Sequence, residues 1–133
     1  MPRGGYLKGS EAQEEDLCRL LPQLYPSLER ARKADLYPLH PQHVILTRDV
    51  VLARQPGTWD LVAPMGACHV MTATMPTDSW RRRKGRPGSP EWRRSVKNRM
   101  RAIFNTAVNH WAKHLVLGAF GCGAYGNPPE LVI

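Results

Sequence analysis

The sequence predicts an α/β fold, with helices packed on a largely parallel sheet. Three observations carry that expectation. Short apolar runs, too brief for helices, alternate with stretches of helical periodicity. A long amphipathic segment, Glu91 to His114, leads directly into the apolar run Leu115–Leu117. That run opens a glycine-rich loop, Gly118 to Gly126, which is followed by Asn127 and Pro128. Strand, glycine loop and helix in that order are the usual ligand-binding end of a parallel sheet.

The elements follow in order. Met1 to Gly9 is a loop by composition. Ser10 and Gln13 fit a capping box, so a helix is expected to start at Glu11. Glu14, Glu15 and Asp16 lie in its first turns, where the helix dipole favours negative charge. Leu17, Leu20, Leu21 and Leu24 give it an apolar face, and Pro22 breaks or kinks it. Leu24 to Leu28 adds a further turn, and Glu29 to Lys33 is solvated. His43–Leu46 and Val50–Ala53 are two short strands. Gln55, Pro56 and Gly57 make a turn, and Trp59–Val62 is extended. His69–Met75 is a strand closed by Pro76, and residues 80–90 are a basic insertion loop. In the long helix Val96, Met100, Ile103, Phe104, Ala107 and Trp111 share one face, which assigns them to the core.

The chain has 133 residues, enough for one domain, and 42% are hydrophobic, enough for a packed core. The formal net charge of +8 is local, because Trp80 to Arg99 holds nine of the 19 cations and one of the 11 acids. A basic run with aromatics at Trp80 and Trp92 suits a polyanion or a nuclear address, and equally suits a solvated loop. Three scattered cysteines, Cys18, Cys68 and Cys122, do not form a disulfide framework and suit a reducing compartment. With no secretory signal and no membrane-length apolar run visible, a monomeric intracellular protein, cytoplasmic or nuclear, is expected.

Two stretches carry chemistry. The glycine loop is either a tight turn or a cradle of main-chain amides around an anion. Asn127 would cap, and Pro128 open, a helix whose positive end faces the same ligand. Near the N-terminus, Gly4 and Gly5 precede Gln13-Glu14-Glu15. The acids either complement the dipole or face a sugar beside a phosphate. His110 and His114, four apart, suit either a metal or the end of the helix. Cys122 is either a reactive thiol or a small filler of the loop.

The pattern Gly4-Gly5, the spacer Tyr6 to Ala12, and Gln13-Glu14-Glu15 resembles the poly(ADP-ribose) glycohydrolases, in particular the microbial-type catalytic domain. The likeness continues through Asp16-Leu17-Cys18-Arg19, Leu24-Tyr25-Pro26, the His69 to Met75 run, and Leu115 to Asn127. It covers most of the chain outside the basic loop. Arg3 departs from it, standing where the family usually has its first glycine. The resemblance implies a macrodomain-like three-layer α/β/α sandwich with a mixed, largely parallel sheet. Family members carry further strands and helices before the glycine loop, so residues 1–133 are expected to form a partial domain, incomplete at both ends.

The implied activity is hydrolysis of ribose–ribose O-glycosidic bonds in poly(ADP-ribose), releasing ADP-ribose. The alternative is a non-catalytic module that binds ADP-ribose or its polymer. By resemblance, Glu15 is the catalytic acid and Glu14 holds ribose hydroxyls. Gly4, Gly5, Gln13 and the backbone of Gly121, Cys122, Gly123 and Ala124 contact the substrate, and Tyr125 packs against the ribose. No metal or cofactor is expected, because protonation and anion binding carry the chemistry. Glycoside cleavage needs an acid that keeps its proton near neutral pH. A neighbouring carboxylate supplies one means, and the helix N-terminus opposes it.

Overall fold

The computed structural model describes residues 9, 12–63, 65–76, 86–123 and 125–132. The chain is mixed α/β and divides into two compact units. Residues 1–40 with 45–72 form the first, and residues 41–44 with 73–133 the second.

In the first unit, α1 (Gln13–Leu20) and α2 (Leu24–Lys33) are separated at Pro22, as the missing proline N–H requires. Ala12 is the N-cap of α1 and offers no side-chain cap, so Gln13 is the first helical residue and not the third of a capping box. Ser10 and Glu11 lie outside the described residues. The helix α2 runs through Glu29 to Lys33, and Ala31 buries there while Arg32 pairs with Glu29 at 2.6 Å.

The strands β1 (Ile45–Val51) and β2 (Ala67–Thr72) form a two-stranded antiparallel sheet. The two short strands expected at His43–Leu46 and Val50–Ala53 are therefore one, irregular between Thr47 and Val50. Three steps along β1 there match two along β2, from Val70 to Cys68. The extra residue is taken up near Asp49, which has a φ of 52°, and the Asp49 amide bonds the His69 ring. Beyond it, Arg54 bridges Leu61 across the expected Gln55–Gly57 turn. Among the described residues, the sheet pairing is antiparallel, where a largely parallel sheet was expected.

Cys18, Leu21, Leu24, Leu28 and Val50 make the core of this unit. Leu24 and Val50 are each 1% exposed, and burying one such side chain is worth about 1.5–3 kcal/mol. Polar links fasten the helices to β1: Thr47 Oγ1 donates to Ser27 Oγ at 2.9 Å, and the Ala53 amide to Leu20 O at 2.9 Å.

The second unit is built on α3 (Pro90–Asn109), which starts with Ser89 as N-cap and Pro90 in the first turn. Its buried stripe is Trp92, Ser95, Val96, Arg99, Ile103 and Ala107. Phe104 is 46% and Trp111 90% exposed, which removes both from the predicted core face. The helix ends at Asn109, and Trp111 has a φ of 55°, so the predicted continuation to His114 does not form. Leu115–Leu117 is not a strand. Val116 is 94% exposed, and no strand pairs with this run among the described residues. An apolar run becomes a strand only when a neighbour accepts its backbone hydrogen bonds. A final turn, α4 (Pro129–Val132), packs Leu131 and Val132 against Met75, Trp92 and Val96.

Candidate functional site

The two stretches singled out from the sequence fall in different units, and each has its own geometry. At the start of α1, Gln13 is exposed, Glu14 half-buried and Glu15 only 8% exposed. Consecutive helical residues point about 100° apart, so burying the face that carries Cys18 encloses Glu15 and draws Glu14 partly in. Burial, and then the charge of Glu15, push Glu14 up from the ordinary 4.5 to about 7. One turn on, burial pushes the Cys18 thiol up to about 12, with Glu14 and Glu15 adding to it. Asp16 faces outward and pairs with Arg19 at 2.7 Å. The carboxylate pair is thus set into the helix's packed side, where dipole complementation alone would leave both acids in water.

In the second unit, the glycine loop is held from behind by Asn127, which is 5% exposed. Its side-chain amide donates to Pro76 O at 2.7 Å and to Gly121 O at 2.8 Å, and its Oδ1 accepts the Trp92 indole N–H at 3.1 Å. Asn127 is therefore a clasp between loop and helix, not the expected cap of α4, which has four residues. Gly121 has a φ of 80°, and a Cβ there would lie 2.5 Å from Met75 Cβ. Only glycine fits. Gly123, by contrast, faces open space. The Cys122 amide is spent on a turn bond to Ala119 O at 3.0 Å. Cys122 itself is half-buried, and Tyr125 is half-buried near Arg99.

Residues 1–55 match the family model of the microbial-type PARG (poly(ADP-ribose) glycohydrolase) catalytic domain. The chain is also similar to solved structures. Poly(ADP-ribose) glycohydrolase from Thermomonospora curvata matches at 32% identity and a TM-score of 0.80, over 99% of this chain and 49% of that one. The same enzyme bound to the inhibitor ADP-HPD matches at 32% identity and 0.81, over 99% and 51%. The Deinococcus radiodurans enzyme in complex with ADP-ribose matches at 28% identity and 0.71, over 99% and 56%. The chain is similar to bacterial poly(ADP-ribose) glycohydrolases. It spans about half the length of these structures. A comparison with the curated proteins gave no match.

The glycohydrolase-like signature is only partly within view. Gly4, Gly5 and Arg3 lie outside the described residues, as do Ala124 and Trp80 to Gly85 of the basic loop. Gln13, Glu14 and Glu15 lie together on the first turn of α1. Gly121, Cys122, Gly123 and Tyr125 lie together in the loop before Asn127. One expectation is corrected: Trp92 is 2% exposed and bonded to Asn127, so its ring is core and not a stacking surface for a polyanion. Of the two readings of the histidines, His110 takes the helix-end one as the C-cap residue of α3, and His114 lies beyond the helix, so the pair does not share a helical face.

Arg99 enters the sequence reading only as a charge in the basic window, yet it is 7% exposed. Its position on the stripe of Trp92, Val96 and Ile103 is the signal that could have found it. For Asn127 the sequence signals a cap, because a clasp to Pro76 and Trp92 is invisible to local pattern.

Proposed function

We propose that this chain carries the acid-bearing and loop elements of a macrodomain-like poly(ADP-ribose) glycohydrolase site, within a three-layer α/β/α sandwich. The observation that carries the reading is the carboxylate pair at the start of α1: Glu15 enclosed, and Glu14 pushed up to about 7, inside the segment matched by the family model. Glu14 holds its proton near neutral pH beside the enclosed Glu15, and a glycosidase needs a protonated carboxyl at its leaving group.

In this reading Gly4 and Gly5 are diphosphate contacts by resemblance, and so, in the second unit, is the main chain of Gly121–Ala124. Gln13 contacts the substrate, Tyr125 packs on the ribose, and Glu14 holds ribose hydroxyls. Glu15 donates the proton to the departing ribose oxygen as the glycosidic C–O bond breaks, and water completes the hydrolysis at the oxocarbenium-like carbon. No cofactor is invoked. Arg93 and Arg94, which are exposed at the start of α3, extend with the Trp80–Arg86 run as a contact for the polymer's phosphates. The compartment is the cell interior, where the three free thiols persist, and the chain acts as a monomer.

The test pairs calorimetry on ADP-ribose with a poly(ADP-ribose) release assay. Glu15→Gln should bind ADP-ribose as before while release falls by about 100-fold or more. Unchanged release in Glu15→Gln removes the acid role. Binding without release by the unaltered chain supports the non-catalytic alternative.

A further inference from the structure

The solvent face of α3 carries cations without acids. Successive residues of a helix turn by about 100°. The stripe that buries Trp92, Val96 and Ile103 takes one side. Arg93, Arg94, Lys97 and Arg101 fall within a sector about 100° wide on the opposite side, and all four are exposed. They follow one another at one-turn spacing over about 12 Å of helix. Glu91 is the helix's only acid, and it falls outside that sector. Arg93 Nε donates to Gly88 O at 2.9 Å. The side chains of Arg94, Lys97 and Arg101 have no hydrogen bond or ion pair among the described residues.

The same sector continues into apolar residues. Phe104, one turn beyond Arg101, is 46% exposed, and Val108, a turn further, is 74% exposed. An exposed ring in register with a row of cations is what a flexible polyanion with bases requires: phosphates meet the charges and a base lies on the ring. The face is also separate from the glycine loop. Trp92, on the buried stripe, donates to Asn127, whose amide holds Gly121 O at 2.8 Å. The loop is therefore fastened to the side of α3 that the cations turn away from.

We propose that this face of α3 is a docking surface for poly(ADP-ribose), in which Lys97 and Arg101 extend the phosphate contacts of Arg93 and Arg94 and Phe104 stacks on an adenine. The inference rests on the function proposed above and deepens it. Charge complementarity selects a polyanion, and a polymer with a diphosphate and an adenine in every unit matches both parts of the face. The surface holds a stretch of polymer away from the unit seated on the glycine loop. It therefore favours long chains over free ADP-ribose, which has no second unit to reach it.

The test uses the full chain, with fluorescence anisotropy on end-labelled poly(ADP-ribose) across a salt series and calorimetry on ADP-ribose. Lys97→Gln/Arg101→Gln should bind the polymer about fivefold or more weakly, and its plot of log affinity against log salt should be shallower by about 1 to 1.5. Its unfolding temperature and its affinity for ADP-ribose should match wild type, because both side chains are exposed. Arg101→Lys, which keeps the charge, should retain most of the polymer affinity. Phe104→Ala should lose about fivefold or more in polymer affinity with the salt slope unchanged.

Wild-type polymer affinity and slope in Lys97→Gln/Arg101→Gln overturn this inference alone. Equal losses for polymer and ADP-ribose also overturn it, since they mark damage to the loop. Unchanged polymer affinity in Phe104→Ala overturns the stacking assignment. Binding of polyadenylate RNA as tight as that of poly(ADP-ribose) identifies a nucleic-acid surface and overturns the choice of partner. A wild-type chain that binds neither ADP-ribose nor its polymer overturns the functional reading, and this inference with it.

Discussion

Glu14 makes the first unit's stability depend on pH in an unusual direction. Burial and the neighbouring Glu15 charge push its pKa up from 4.5 to about 7. Below pH 4.5 the group is protonated in both folded and unfolded chains and costs nothing. Between 4.5 and about 7 the unfolded chain loses the proton while the folded chain keeps it, so stability falls as pH rises. Above about 7 the folded chain carries the full cost of the ionised group.

A rise from 4.5 to about 7 corresponds to about 3 kcal/mol for a fully enclosed carboxyl. Glu14 is half-buried, and solvent screening reduces this to about 1–2 kcal/mol. Glu14→Gln removes the titrating group and keeps its shape. Urea unfolding followed by circular dichroism, on both proteins from pH 4.5 to 8, reads the difference directly. The variant should match wild type near pH 4.5 and exceed it by about 1–2 kcal/mol at pH 8. A stability difference that stays constant across this range, or that favours wild type at pH 8, refutes the reasoning.

Other outcomes follow from the second unit and from the thiols. Gly121→Ala should cost about 2–4 kcal/mol in thermal or urea unfolding, because the new Cβ meets Met75 at 2.5 Å and the residue sits at a φ of 80°. Asn127→Ala leaves the Trp92 indole N–H and the Pro76 carbonyl unpaired and should cost about 2–3 kcal/mol. The same variant should shift Trp92 fluorescence as the loop comes away from α3. In thiol labelling at pH 8, exposed Cys68 should react at once. Cys18, buried and pushed up to about 12, should react only at the rate of unfolding.

Local pattern was enough for much of the chain. Pro22 separates α1 from α2 because a proline has no amide to donate, whatever surrounds it. Ser89 and Pro90 start α3 for equally local reasons. The carboxylates Glu14 and Glu15 and the glycine loop were also legible, since their residue types are unusual at that spacing. What pattern left open depends on partners distant in sequence. Leu115–Leu117 has the composition of a strand, but pairing needs a neighbour, and among the described residues it has none. Phe104 and Trp111 follow the helical period, yet only packing chooses which face of a helix is covered. Trp92 belongs by composition to a basic, aromatic run, and only the stripe it shares with Arg99 turns it inward. Asn127 shows the same division. Its amide could serve a cap or a clasp, and the choice was made by Pro76 and Trp92, residues 51 and 35 positions away. The sequence by itself determined where the first helix breaks, at Pro22, and which residues offer acid and amide groups, because those depend on a few neighbouring bonds. Tertiary structure alone decided which groups lose their water, and burial is what turns Glu14 into a proton holder and encloses the Arg99 guanidinium.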